Sequence, residues 1–316
     1  PHPLLSQTMS TLAPPVIEAP AVSVARPGML RRLMKNTSVL IGGALVLTIL
    51  LMGLLAPVLT SADPAAINPS NRNKLPGHET TTRDDEGNKV TRKAAMGTDG
   101  LGRDIYARVV YGARVSLMVG VSVAVISVVI GLFIGLLAGY FRLLDSVVMR
   151  VMDGLMAIPA ILLAIALVSL SGASLLTVIL AVTIPEIPRV VRLVRSIVLS
   201  IREEPYVEAA ISVGTPVAKV LWRHVLPNTV APLIVQATFI AGAAILLEAI
   251  LSFLGVGIPP ETPTWGNIMA EGRSVFQIFP HNILYPGMFL TLTVLAINLL
   301  GDGLRDTLDP RMSKRL

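Results

Sequence analysis

The residues able to do chemistry are few and scattered. There is no cysteine, so no thiolate ligand, disulfide or cysteine nucleophile is available. The four histidines, His2, His78, His224 and His281, are far apart and form no ligand pair at helical spacing. No Gly-x-x-x-x-Gly-Lys-Ser/Thr run occurs, so the chain has no P-loop with which to hold ATP. What remains is charge placed in apolar surroundings. Glu248 sits inside a hydrophobic stretch, where a carboxylate is expensive and faces a cavity or a partner. Two roles suit it: lining a solute path, where it would meet an amino group, or pairing with an arginine or a neighbouring chain. The second role is favoured. Arg189, Arg192 and Arg195 recur every three residues beside Glu186. That spacing suits anchoring of a helix end at a membrane interface better than sensing voltage. One compact polar stretch, "EAAISVGTPVAKVLWRHVLP" at 208–227, remains to be placed.

The elements that carry these residues follow from composition. The 316 residues are 53% hydrophobic and only 15% charged, a balance that suits a polytopic membrane protein and not a soluble domain. The net charge of +6 is better explained by Lys and Arg gathered in cytoplasmic loops than by nucleic acid. Residues 1–35 read as a disordered, basic tail. Residues 36–60 hold a first span, with no charge from Val39 to Leu59. It is too long and too far from residue 1 to be a cleaved signal peptide. A polar external segment covers 61–114. A five-helix unit covers 115–304, with spans near 115–139, 152–171, 173–190, 229–254 and 284–301, and a short tail covers 305–316. The expected fold class is therefore all-α with six transmembrane helices. Pro185, Glu186 and Pro188 predict a kink at the inner end of the fourth span. Gly131, Gly135 and Gly139 have the small-xxx-small spacing of close helix packing.

Sixteen of the 26 Lys and Arg fall in the N-terminal tail, the 140–151 loop, the 189–228 loop and the C-terminal tail, and nine in the long 61–114 segment, which weighs less in the orientation rule than short loops do. Arg273 alone occupies the two short connections on the other side. Both termini are thus expected in the cytoplasm. Residues 208–227 then lie in the longest cytoplasmic loop. Glu204-Pro205 fits a helix start. Val207, Ala210, Ile211 and Gly214 follow i, i+3, i+4, i+7 spacing. Gly214 ends that helix in the left-handed conformation. Thr215-Pro216 restarts one as N-cap and first position, and Leu226-Pro227 ends it. Ala209 and Ala210 permit close approach, and Glu208 sets a charge beside them. The unit could dock a soluble partner or lie flat on the membrane as an amphipathic linker.

The spacing of Glu208-Ala209-Ala210, Gly214 and His224-Val225-Leu226-Pro227 resembles the EAA motif of ABC importer permeases, in the peptide and nickel branch. "MGTDGLGRDIYARVVYGARVSL" (96–117), "EAILSFLGVGIPPETPTWGNIMAEGR" (248–273) and "NLLGDGLRDTLDPR" (298–311) are similar to the C-type permease of dipeptide and oligopeptide importers. The likeness covers nearly the whole chain. The charged external stretch "HETTTRDDEGNKVTRK" (78–93) has no counterpart in it. The resemblance implies a type I ABC importer permease fold, with residues 203–226 as coupling helices seated on an ATPase. Glu208, Ala209, Ala210, Gly214, Leu226 and Pro227 would be the coupling residues. It implies a bacterial inner-membrane location and a heterodimer with a second related permease. Two ATP-binding subunits and an extracytoplasmic solute-binding protein would complete the assembly. ATP and Mg would sit on those subunits, with no cofactor and no catalysis on this chain. The solute would be a peptide, or nickel, glutathione or another small solute of the branch.

Three further expectations concern single residues. Trp222 and Trp265 suit opposite membrane interfaces. Arg103, Tyr106 and Arg108 suit an amphipathic element on the outer face, as a membrane cuff or a contact for the binding protein. Asp153 suits the inner interface beside Arg150. A self-contained secondary transporter or channel would need broken helices in matching halves and paired midplane charges. A membrane enzyme would need a cluster of catalytic side chains. The sequence shows no clear pair of broken helices and no catalytic cluster, and a secondary transporter would leave the 208–227 unit without a role, so that reading stands as the alternative to the importer permease.

Overall fold

Asn36 opens the first long helix and also fastens it. In the computed structural model, which describes residues 29–83 and 89–308, a short helix α1 (Met29–Leu33) precedes α2 (Thr37–Leu54). The Asn36 side-chain oxygen accepts from the Ser38 and Val39 N–H groups at 2.9 and 3.3 Å, capping α2. Its amide nitrogen donates to the Gly303 carbonyl at 3.3 Å. Of the expected tails over 1–35 and 305–316, residues 1–28 and 309–316 lie outside the described residues, whereas Met29–Leu33 is helical and the last long helix runs on to Leu308, past the expected start of the second tail. Leu55 breaks the helix, and Pro57 sits in the first turn of α3 (Ala56–Leu59).

The external segment is not all-α. The charged 78–93 stretch contains two antiparallel strands, β1 (Glu79–Arg83) and β2 (Lys89–Lys93), with Glu79 opposite Lys93. The physical reason is local: Thr80, Thr81, Val90 and Thr91 are β-branched and disfavour a helix. The segment then turns inward at Asp104. Its carboxylate caps α4 (Ile105–Tyr140) by accepting from the Tyr106 and Ala107 N–H groups. This helix starts at Ile105, well before the expected residue 115. Its 36 residues span about 54 Å at 1.5 Å per residue, more than the ~30 Å hydrocarbon core of a bilayer.

The expected span 152–171 is corrected by the structure. It is two helices, α5 (Arg142–Ala157) and α6 (Ala160–Ser171), bent by 88°. The cause is Pro159. A residue before proline is driven out of the helical region, and Ile158 is extended at φ −89°, ψ 127°. Gly172 and Ser174 then turn the chain into α7 (Leu175–Arg202), which runs unbroken through Pro185 and Pro188 instead of ending near 190. Beyond it come α8 (Pro205–Ser212), α9 (Val217–Val220), α10 (Leu226–Phe253), α11 (Trp265–Gly272) and α12 (His281–Leu308). Among the described residues, four helices are long and apolar enough to cross a membrane: Thr37–Leu54, Ile105–Tyr140, Val217–Phe253 and His281–Leu308. The bent α5–α6 pair would make a fifth. Glu186, Arg189, Arg192 and Arg195 in the second half of α7 keep it outside that set.

Two apolar clusters hold the bundle. One joins α4, α6, α7 and α10, and takes in Val207, Val220 and Val225 from the loop beyond α7. The other joins α2, α4, α10, α11 and α12 around Trp265. Trp265 is fully buried and its indole N–H donates to the Val109 carbonyl at 3.0 Å, so it is a core residue and not an interface anchor. Trp222 is exposed.

The α4–α7 seam is built on glycine. A Cβ on Gly131, Gly135 or Gly139 would come within 2.5, 2.7 and 2.7 Å of the Cβ atoms of Val190, Val194 and Val198. At Gly135 the Val191 carbonyl oxygen also stands 3.0 Å away. Backbone cannot yield as a side chain can, so Gly135→Leu is expected to part the two helices. The loss should exceed the ~1–3 kcal/mol of ordinary overpacking. Gly154→Ala, in open space on α5, is the matched control. Gel filtration in detergent should give a dispersed or absent peak for the first and a wild-type peak for the second.

Candidate docking site

Residues 203–228 form a braced unit at the α7–α10 junction. Glu204 is extended and Pro205 takes the first helical position of α8. Val207 is fully buried in the α4–α7–α10 cluster, while Glu208 and Ala209 face out and Ala210 is half-buried. The expected stripe is therefore divided. Val207 anchors the helix, and Ile211 and Gly214 are exposed.

Gly214 has φ +86° and open space around the position of a Cβ. Its N–H donates to the Ile211 carbonyl at 2.9 Å, and the Thr215 N–H donates to the Ala210 carbonyl at 3.1 Å. This pair of bonds is the Schellman closure of a helix, which satisfies two otherwise orphan carbonyls. The restart is one residue later than expected: Pro216, not Thr215, is the N-cap of α9.

Leu226-Pro227 does not end that helix. A π turn over Leu221–Val225 joins α9 to α10, with the Leu226 N–H donating to the Leu221 carbonyl. The wider turn absorbs the missing donor and the ring of Pro227, which would strain an α-helical register. Leu226 is half-buried and Pro227 is exposed. Val220 and Val225 are fully buried. Asn228 donates to the His224 carbonyl at 2.7 Å, and the Tyr206 and His224 rings lie 5.9 Å apart. Three buried valines fix the unit from below, and Glu208, Ile211, Val213 and Val217 form its outer surface. A rigid, exposed, partly apolar surface can seat another protein. Beside it, α7, α10 and α12 enclose a cleft of about 630 Å³ lined by Pro227, Asn228, Gln236, Phe239 and Arg305, among others.

Glu248 is far from this surface. It is fully buried in α10 and makes no ion pair among the described residues. Its Oε1 accepts from the Ser252 hydroxyl at 2.8 Å, and the Ser252 Oγ in turn accepts from the Ile258 N–H at 3.2 Å. The chain of bonds ties the 254–264 loop to the helix.

The outer-face arginines are also inside. Arg103 and Arg108 are 5% and 1% exposed. Both approach Asp99 Oδ2, at 2.7 and 2.8 Å, and both pair with Glu271 of α11. Asp99 Oδ1 accepts from the Leu101 and Arg103 N–H groups. The expected amphipathic surface element is thus a buried clasp between the external segment, α4 and α11. Opposite charges at 99 and 103 were a visible hint. Glu271, distant in sequence, carried no local signal. On the other side, Arg189 pairs with Glu186 at 3.2 Å and Arg195 pairs with Asp145. Arg192 pairs with Asp153 at 2.6 Å, so Asp153 is not the partner of Arg150. Among the described residues no group of three or more His, Cys, Asp or Glu could hold a metal.

The chain matches the family model described as "binding-protein-dependent transport system inner membrane component" over residues 116–314. It matches that of the "N-terminal TM domain of oligopeptide transport permease C" over 28–76. It is 49% identical to a probable peptide ABC transporter permease of Sinorhizobium fredii, over 89% of this chain and 91% of that one. It is 41% identical to a dipeptide transport system permease of Alkalihalophilus pseudofirmus, over 95% and 94%. It is 32% identical to an oligopeptide transport system permease of Bacillus subtilis, over 94% and 93%.

Proposed function

The chain belongs to the family of inner-membrane components of binding-protein-dependent transport systems, and on that premise we propose that it is the permease subunit of an ATP-driven importer of di- or oligopeptides. The peptide assignment draws on what the relatives are called. The division of labour draws on the chain itself, which has no P-loop and presents an exposed, rigid helical unit. In this reading the bent α5–α6 pair and the 28-residue α7 supply the remaining two of six spans, both termini are cytoplasmic, and the membrane is the bacterial inner membrane. The partners are a second, related permease, two ATP-binding subunits carrying ATP and Mg, and an extracytoplasmic binding protein.

The observation that carries the reading is the α8 unit. Its Schellman turn and valine anchors hold Glu208, Ala209 and Ala210 in place, as a surface must if movement of a docked ATPase is to reach the spans. ATP closes the ATPase pair, α8 moves with it, and the bundle switches between inward- and outward-facing states. Such a switch requires that the docked contact differ between the two states. Glu248 would meet solute only if the 254–264 loop lifts.

The test is a tagged purification from detergent-solubilised membranes. Wild type should carry the second permease and the ATP-binding chains. Glu208→Lys reverses a charge at the docking surface and should lose at least ~90% of the ATP-binding chains, about 1.4 kcal/mol of binding or more. The second permease should stay. Wild type that purifies alone and moves peptide in liposomes without ATP would overturn the proposal.

A further inference from the structure

The cleft among α7, α10 and α12 holds polar groups that neither the packing nor the docking surface uses. One face of α10, from Pro227 up to Phe239, forms its long wall, with Arg305 and Leu308 from α12 and Leu193 from α7. Two glycines fix the levels. Gly301 lies against Thr238, where a Cβ would collide with the threonine hydroxyl, and a Cβ on Gly242 would stand 3.6 Å from the Asn298 side-chain oxygen. The two helices are therefore antiparallel, and Arg305, one turn past Gly301, stands close to the level of Val235 on α10. Close packing at Gly301 shuts the cleft on the side of the outer loops. On the other side it reaches Pro227 and Asn228, at the edge of the docking unit.

The polar lining is specific. Arg305 is its one charged side chain and makes no ion pair among the described residues. Gln236 is half-buried, and its amide makes no hydrogen bond among the described residues. Asn228 gives its amide nitrogen to the His224 carbonyl at 2.7 Å, which leaves its side-chain oxygen as an acceptor. Pro232, inside α10, has no N–H to offer the Asn228 backbone carbonyl one turn back. Leu193, Phe239 and Leu308 make the rest of the lining apolar. A matching ligand carries one negative charge, with N–H donors close to it and an apolar body. A phosphatidylglycerol headgroup brings the charge without the N–H donors. The carboxy-terminal end of a peptide brings both: a carboxylate that fits a guanidinium fork, and amide N–H groups for the free acceptors. The volume, about 630 Å³, is that of a small-ligand site.

We propose that this cleft is a solute subsite of the permease, in which Arg305 holds the carboxy-terminal carboxylate of a peptide and Gln236 and Asn228 bond its last amide groups. A site of this kind rests on the importer reading and adds to it where, and by which end, the peptide is held. Pro227 and Asn228 belong to both the cleft and the docking unit, so movement of that unit reshapes the cleft and ties release of peptide to the state of the ATPase.

The sequence has no cysteine, so Val235→Cys places a single thiol of this chain in the cleft. The variant is purified with its second permease and ATP-binding chains, and held without nucleotide in nanodiscs of phosphatidylcholine and phosphatidylglycerol. Alkylation at position 235 is followed by mass spectrometry. Trialanine is the probe, because the polar groups meet backbone and terminus and not side chains. At millimolar concentration it should slow alkylation several-fold, and trialanine amide, which lacks the carboxylate, should not. Adding Arg305→Gln should raise the half-protecting concentration at least ~10-fold, and Arg305→Lys, which keeps the charge, should recover part of that. Fast alkylation that trialanine leaves unchanged overturns the proposal, as does equal protection by trialanine and its amide. A thiol that is slow without peptide, and fast once phosphatidylglycerol is omitted, puts lipid in the cleft and overturns it. A thiol slow in every lipid means that protein covers the cleft, and overturns it equally. Each of these results can arise in a complex that keeps its ATP-binding chains and takes up peptide, and then the importer reading stands. Absence of that complex is the separate failure of the importer reading, and the subsite falls with it.

Discussion

Arg108→Ala is expected to cost about 3–5 kcal/mol of stability, the usual loss when one partner of a buried ion pair is removed. The guanidinium is 1% exposed and joins Asp99, Glu271 and the Pro260 carbonyl. Alanine leaves Asp99 and Glu271 sharing one cation, Arg103. Total stability of a folded domain is only about 5–15 kcal/mol, so most molecules should fail to fold or lose α11 and the external segment from the bundle. Lysine is no remedy, because a single ammonium cannot meet three acceptors in a plane as the guanidinium fork does. Adding Glu271→Gln to Arg108→Met restores the charge balance and should recover part of the loss. The measurement is thermal unfolding followed by gel filtration in detergent. A wild-type midpoint for Arg108→Ala would show that the clasp does not hold the outer layer.

Gly214→Leu is expected to abolish ATP-driven uptake while membrane insertion and pairing with the second permease persist. An L-residue in the left-handed conformation costs roughly 1–2 kcal/mol. Nothing stands within 4 Å of a Cβ here, so the single chain tolerates the change. The damage falls on the docked state. The strained cap releases the two Schellman bonds, and the leucine projects from the surface that holds Glu208. Asparagine accepts the left-handed conformation at low cost, so Gly214→Asn should retain part of the uptake. Peptide uptake in proteoliposomes, normalised to reconstituted protein, reads both variants. Normal uptake by Gly214→Leu would remove α8 from the coupling route.

What was legible in the sequence was what depends on neighbours along the chain. The left-handed end at Gly214 is set by the residues just before it, and the helix start at Glu204-Pro205 likewise. The Gly131–Gly135–Gly139 ridge needed only helical spacing to be seen, although Val190, Val194 and Val198 as its partners did not follow from it. The apolar runs marked α2, α4, α10 and α12. Three features were hidden for different reasons. Hydropathy averages over a window, so the turn at Ile158-Pro159 disappeared inside one apolar run. A proline after Leu226 reads as a stop, yet a π turn carries the helix through. The burial of Arg103, Arg108 and Trp265 depends on Glu271, Val109 and other residues brought up only by the tertiary fold.

The join between α9 and α10 has a mechanical consequence. Val217–Phe253 is one 37-residue run, about 55 Å long at 1.5 Å per residue, so a tilt of about 10° about its middle swings each end by roughly 5 Å. One end carries the α9 turn, packed against α8, and the other carries the Glu248–Ser252–Ile258 tie to the outer loop. The π turn and Pro232 both lie near the α9 end, so the length above them bends least. A displacement the width of one side chain, applied on one face of the membrane, is therefore delivered as a displacement of similar size and opposite sense on the other. No relay of intermediate residues has to rearrange in sequence.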